Sequence, residues 1–229
     1  VQRDYLDTAM TSSEMLLALL DDILDLSKVE AGRLQLQPQP VDLRTTLEAV
    51  LDAAAPLSTS KGLELMLRYP TGVPSRVVAD ATRLRQVVTN LVGNAVKFTE
   101  RGHVLVTVSV EGQGERARFV IEVEDTGPGI PSEQHQMIFE KFHQVDGSST
   151  RAHTGMGLGL AITSQIIERM GGTIALRSEP GAGTAFTVHL PLPRPDGSRL
   201  APWPLTAIAD NALCAAAEQE AELTMLHLG

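Results

Sequence analysis

The chain has 229 residues, a formal net charge of -9, 43% apolar and 21% charged side chains, and only 3% aromatics. These are ordinary globular values with a core drawn mainly from Leu, Val, Ile and Met, and the acidic balance argues against a nonspecific nucleic-acid binder, which would carry a basic face. The single cysteine, Cys214, excludes an internal disulfide and a cysteine zinc cluster and fits a reducing, cytoplasmic setting, while no apolar run reaches the ~18 residues of a membrane span.

The opening "VQRDYLDTAM" is not a signal peptide and has no initiator Met, so the sequence reads as part of a longer chain. The first 31 residues lack Gly and Pro and place Leu6, Met10, Leu17, Leu20 and Leu24 at spacings of three and four or multiples of them. That is a helical seam. Leu16, Leu19, Ile23 and Leu26 lie beside it, which makes the apolar surface wide enough to need several neighbours, as in a four-helix bundle. The expected divisions are therefore a bundle helix over 1–32, a compact domain over 33–192 and a linker-like tail over 193–229.

In the compact domain, "RLQLQPQPVD" alternates like a short edge strand closed off by Pro38 and Pro40. Asp42 is placed to cap a helix over about 43–58, "LELMLR" (63–68) and "RVVA" (76–79) read as strands, and Asp80 caps the helix "ATRLRQVVTNLVGNAVKFT". Residues 103–111 and 116–124 alternate around "GQGE" and predict an antiparallel hairpin. A short helix is expected in "SEQHQMIFEKF", a loop from His143 to Met156, a helix over 157–170, and closing strands "TIALRSE" and "TAFTVHLPL". The tail "ADNALCAAAEQEAELTMLHL" is Ala-rich and reads as helical. The expected class is α+β, a two-layer sandwich of a mixed sheet with helices on one face.

Three groups of residues invite a chemical reading. Asn90 and Asn94 stand four apart on one helix, with Lys97 a turn further on a neighbouring face. Asparagine is unusual inside a helix because its amide competes for backbone bonds; such residues either bond to nearby loops or ligate Mg2+ through oxygen. In "EDTGPGI", Gly127 and Gly129 read either as a sharp turn or as a close approach to a flat ligand whose exocyclic amine donates to Asp125. "GMGLG" (Gly155, Gly157, Gly159) runs into a helix, where backbone N–H groups can meet phosphate. It is not the dinucleotide fingerprint, since no strand leads into it, and GxxxxGK[ST] is absent.

Taken in order, "LRQVVTNLVGNAVKFT", "EDTGPGI", "FEKFHQVDGSSTR" and "GMGLGLAI" resemble the N, G1, F and G2 boxes of the histidine kinase branch of the GHKL ATPases, and the wording around "FHQVDGSSTR" resembles the hybrid subgroup. "LLALLDDILDLSKVEAG" is similar to the second helix of that family's dimerisation and phosphotransfer domain. The resemblance covers about residues 1–192. It implies ATP and Mg2+ as cofactors, with Asn94 and Asn90 toward the metal, Lys97 and Arg151 toward phosphate, and Asp125 reading the adenine amine. Gly127, Gly129 and Ile130 would shape the base pocket, Thr187 would join it through water, and Gly155, Gly157, Leu158 and Gly159 would belong to a lid over the phosphates.

The implied partners are a second copy, through the N-terminal bundle, and a receiver domain. Hydrolytic relatives carry Glu where this chain has Asn90, and an amide is no general base at neutral pH. The resemblance therefore favours phosphoryl transfer over hydrolysis. None of the six histidines lies on the N-terminal helix, so the acceptor is expected outside this sequence. Thr154 and Met156 stand where the family more often has Gly and Thr, which keeps a non-catalytic dimerising regulator as an alternative beside an ATP hydrolase.

Overall fold

The computed structural model describes residues 34–111, 118–143 and 157–193, the backbone of 223–225, and positions 10, 13, 20, 23, 24, 27 and 31. Two strands, β1 (Gln39–Asp42) and β3 (Arg76–Ala79), pair antiparallel. The main sheet contains β2 (Glu64–Arg68), β4 (His103–Glu111), β5 (Arg118–Asp125), β6 (Thr173–Glu179), β7 (Gly183–Leu190) and β8 (Leu223–Met225), in the order β6-β7-β5-β4-β2-β8. β2 and β4 run parallel and every other neighbouring pair is antiparallel, so the sheet is mixed as expected.

Helices α1 (Leu43–Lys61), α2 (Ala81–Phe98) and α3 (Gly159–Arg169) pack on one face of that sheet. Both predicted caps form: Asp42 accepts from Thr45 N–H and Asp80 from Arg83 N–H, each at 3.0 Å. These bonds occupy N–H groups that the first helical turn leaves without intrahelical partners. Gly62 ends α1 in the left-handed region, φ 69°.

The core lies between the layers. Leu84, Val87, Val88, Leu91, Val92, Ala95 and Val96 form the buried stripe of α2. They join a core cluster with Val104, Val106 and Val108 of β4, Phe119, Ile121 and Val123 of β5, and Phe186, Val188 and Leu190 of β7. Burying a side chain of this size contributes roughly 1.5–3 kcal/mol, so period-two and period-3.6 patterns facing each other suffice to fix the layers. Alternation also assigns the opposite sheet face: Glu122, Glu124, Thr187 and His189 are all more exposed than the core-facing residues beside them.

Several boundaries differ from the sequence expectation. Leu34 to Pro38 is not a strand; Leu34 enters the core, and Gln37 N–H donates to the Asp80 carboxylate at 2.9 Å instead of to a ladder. The short helix expected after the Gly127–Gly129 turn is two separate 3-10 turns, Ser132–Gln134 and Met137–Phe139. Ile138 is their one buried residue, too little apolar surface to hold a longer helix. In the tail, Leu223–Met225 pairs antiparallel with Met66–Arg68, so the helical expectation fails there; the pairing meets backbone groups that β2 would otherwise present as an edge. The hairpin tip over 112–117 and most of the loop from His143 to Met156 lie outside the described residues.

Positions 10, 13, 20, 23, 24 and 27 are helical, and Met10, Leu20, Ile23 and Leu24 are exposed. Among the described residues no helix is long and apolar enough to cross a membrane.

Candidate functional site

The C-terminal half of α2 is the backbone of the site, because both glycine-rich segments close on it. A Cβ at Gly127 would stand 2.8 Å from Asp125 Oδ1, 3.2 Å from Thr99 Oγ1 and 3.5 Å from the Phe98 carbonyl, just beyond Asn94 and Lys97. A Cβ at Gly159 would collide with the Asn90 amide oxygen. The two contacts are nine residues apart, about 14 Å along the helix axis. "EDTGPGI" thus closes on one end of a strip whose other end faces the start of α3.

Asp125 is the last residue of β5 and is 8% exposed. Its Oδ1 accepts from Gly127 N–H at 2.8 Å. Burial pushes the carboxyl above its ordinary 3.8, and the backbone N–H groups of Gly127 and Thr184 pull it partly back. The Thr99 hydroxyl, fully buried, is close enough to favour the ionised carboxyl but has no aligned hydrogen-bond partner.

The turn after Asp125 is clasped by the β6–β7 hairpin. Gly129 takes φ 71°, and a Cβ there would strike the Glu179 carbonyl, so close backbone approach requires glycine. Gly181 N–H donates to Pro128 O at 2.7 Å and Ile130 N–H to Ser178 Oγ at 2.8 Å.

At the other end, Asn90 donates from Nδ2 to Thr163 Oγ1 at 2.9 Å, tying α2 to α3. Asn94, half-buried, has no hydrogen-bond partner among the described residues. Burial holds the Lys97 ammonium below its ordinary 10.5; it lies 5.0 Å from the centroid of the Phe98 ring, and no carboxylate pairs with it among the described residues. A partly buried cation beside an amide unpartnered among the described residues is a setting that an oxyanion or a hydrated cation would satisfy. α3 begins without a side-chain cap from Leu158, which leaves its first N–H groups uncapped among the described residues.

Of the residues singled out from sequence, Asn90, Asn94, Lys97, Asp125, Gly127, Gly129, Ile130, Leu158 and Gly159 border this strip or its flanking turns, and Leu158 is buried. Gly157 precedes α3 with φ 68°, and its carbonyl accepts from Phe142 N–H at 3.1 Å. Arg151 and Gly155 lie outside the described residues. Thr187 does not join Asp125: it stands opposite Glu122, to which it donates at 3.1 Å. An offset of three along a strand puts it on the other sheet face. The threonine opposite Asp125 is Thr184, 7% exposed. Which threonine faces Asp125 depends on the register between β5 and β7, and Thr99 carries no sequence signal beyond its place at the end of α2.

Residues 79–194 match the family described as Histidine kinase-, DNA gyrase B-, and HSP90-like ATPase. The signal transduction histidine-protein kinase BarA of Escherichia coli K12 is 43% identical over 192 residues, 83% of this chain and 21% of that protein. The sensor protein GacS of Pseudomonas syringae pv. syringae is 42% identical over 194 residues, 84% of this chain and 21% of that protein. The chain thus spans about a fifth of the length of these curated relatives. Among solved structures, full-length ShkA in complex with AMPPNP superposes with TM-score 0.74 at 37% identity, covering 84% of this chain and 39% of that one. The histidine kinase AdeS of Acinetobacter baumannii gives 0.66 at 27%, covering 81% and 82%.

Proposed function

Because the chain belongs to the histidine kinase-, DNA gyrase B- and HSP90-like ATPases, we propose that it is the catalytic part of a hybrid sensor histidine kinase. It binds Mg-ATP along α2 and presents the γ-phosphoryl to a histidine carried outside these residues, from which an aspartate of a receiver domain takes it. The observation that carries this reading is the buried Asp125 at one end of the strip, with Asn94 and Lys97 in the adjoining turn and Asn90 at its far end. The complex of the similar ShkA with AMPPNP supports an adenine nucleotide as the ligand.

In this reading Asp125 accepts from the adenine amine, Gly127, Gly129 and Ile130 form the wall behind the base, and Thr184 takes the place expected for Thr187. Mg2+, when bound, would lower the charge repulsion among the phosphates. Asn94 has the oxygen and the vacant bonding capacity to hold it, and Asn90 steadies the neighbouring turn of helix. Lys97, with Arg151, supplies cationic contacts to phosphate, and Gly155, Gly157, Leu158 and Gly159 form the lid base and the N–H groups facing the anion. Asn90 is engaged by Thr163 and cannot take a proton from water, which favours transfer over hydrolysis. The exposed Met10, Leu20, Ile23 and Leu24 fit burial against a second copy. Without a histidine on that helix, the chain alone does not autophosphorylate.

Calorimetric titration with AMPPNP, with and without Mg2+, tests the reading. Asp125→Asn is expected to weaken binding at least about a hundredfold, because the buried acceptor pair becomes a mismatched amide. A folded, unmodified chain that binds no nucleotide would sink it.

A further inference from the structure

Ser178, on β6, belongs to none of the glycine or asparagine motifs and is 9% exposed. Three groups converge on its hydroxyl. Ile130 N–H donates to it at 2.8 Å, the Gly183 carbonyl accepts from it at 2.8 Å, and Thr184 Oγ1 lies 3.0 Å away. A serine hydroxyl has one proton and two lone pairs. A carbonyl has no proton to share, so the serine proton goes to Gly183. Ile130 N–H takes one lone pair, and Thr184 can engage the other only as a donor.

The proton of Thr184 is therefore committed to Ser178, and the capacity left on Thr184 is that of an acceptor. Thr184 stands directly opposite Asp125 on the same sheet face. An ionised carboxylate is also an acceptor without a donor.

We propose that Ser178 is a positioning residue that sets ligand specificity: by orienting the Thr184 hydroxyl toward β6, it leaves two acceptors, Asp125 and Thr184, at the base end of the site. Such a pair selects a base with an exocyclic amine and rejects one with an oxo group at that position, since two facing acceptors would remain unpaired. Through Ile130 the same hydroxyl holds the turn that walls the pocket, so recognition and loop position are set by one group. This inference rests on the nucleotide reading of the site.

Calorimetric titration of the chain with ATP and with inosine triphosphate, which carries oxo in place of the amine, tests it, with thermal unfolding as the fold control. The unmodified chain should prefer ATP at least about a hundredfold, the range in which a site built around a hydrogen bond rejects its mismatch. Ser178→Ala frees the Thr184 proton and should lower that preference about tenfold. Ser178→Cys keeps a slightly larger side chain with only a weak donor there and should move the ratio the same way, which preserves the test if the alanine variant fails to fold. Equal weakening of both ligands, with the ratio unchanged, would mean a purely structural role and overturn the proposal, as would equal binding of both by the unmodified chain. Absence of any binding by the folded unmodified chain is a different failure: it overturns the nucleotide site itself, and the specificity inference with it.

Discussion

Around Asp125 the polar groups are largely bonded to one another: Gly127 N–H donates to Asp125 itself, and Ile130, Gly183 and Thr184 meet at the Ser178 hydroxyl between a turn and a hairpin. Around Asn94 the opposite holds, for among the described residues its amide is unpartnered, the partly buried Lys97 has no carboxylate, and α3 starts without a side-chain cap. A region whose groups are mutually satisfied is rigid and can discriminate between ligands by shape and bond polarity. A region with spare capacity discriminates little by itself and gains its order when charge arrives. One helix, α2, thus carries a finished recognition surface beyond its end and an unfinished electrostatic one along its last turns.

The effect that would sharpen this contrast most directly is on metal-dependent binding. Asn94→Ala should weaken AMPPNP about 10- to 100-fold when Mg2+ is present, the worth of one charge-assisted contact, and hardly at all in excess chelator. The unfolding midpoint should stay near that of the unmodified chain, since no protein partner is lost among the described residues. Equal losses with and without Mg2+ would erase the distinction between the two ends.

Lys61 offers a way to loosen, from behind, the last turn of α2, where the two regions meet. Its ammonium donates to the carbonyls of Val96, Lys97 and Thr99 at 2.7, 2.6 and 3.1 Å, which closes the last turn of α2 and offsets the negative end of its dipole. Lys61→Met should destabilise the fold by about 1–3 kcal/mol in urea unfolding, because those acceptors lose a charged donor. A change within about 0.5 kcal/mol would mean that water replaces the ammonium without loss.

Asp125→Asn should separate stability from binding. Because burial holds the Asp125 carboxyl above 3.8, the native state keeps the proton more tightly than the unfolded chain, and native stability falls as pH rises through that interval. The variant is then more stable than the unmodified chain at neutral pH while losing nucleotide, and its advantage disappears below pH 3.8. Melting curves at pH 7 and near pH 3 check it, and a variant less stable at both would show that the bonds from Gly127 and Thr184 outweigh burial.

The fold was readable because its periods are strong. The α2 stripe and the alternation in β4, β5 and β7 are long enough to name the layers, and Asp42 and Asp80 marked two helix starts to the residue. What escaped was tertiary. Leu34 and Leu36 alternate like a strand, yet β3 is only four residues long and Gln37 turns to Asp80. In the site, the paired asparagines and the Gly127–Gly129 turn were legible as residue types in an order. Thr187 is the expected residue and Thr184 the one opposite Asp125, because strand parity relative to Asp125 depends on the register between β5 and β7, which the local sequence does not state. Ser178 was invisible for the same reason: its importance lies in three bonds to residues that only folding brings together.

The smallest expected effect probes the one loose group at the finished end. Thr99 is fully buried, and its hydroxyl has no aligned partner, although it lies beside Asp125. Thr99→Val keeps the shape and removes the orphan, so the ligand-free fold should gain up to about 1 kcal/mol. The same hydroxyl favours the ionised carboxyl, so its loss should raise the Asp125 pKa further and move the acid limb of AMPPNP binding to higher pH. Thr99→Ser should restore the original limb. If Thr99→Val instead lowers the melting point and leaves the acid limb in place, the hydroxyl is bonded elsewhere in the native state, and the finished end of α2 is more complete than its geometry indicates.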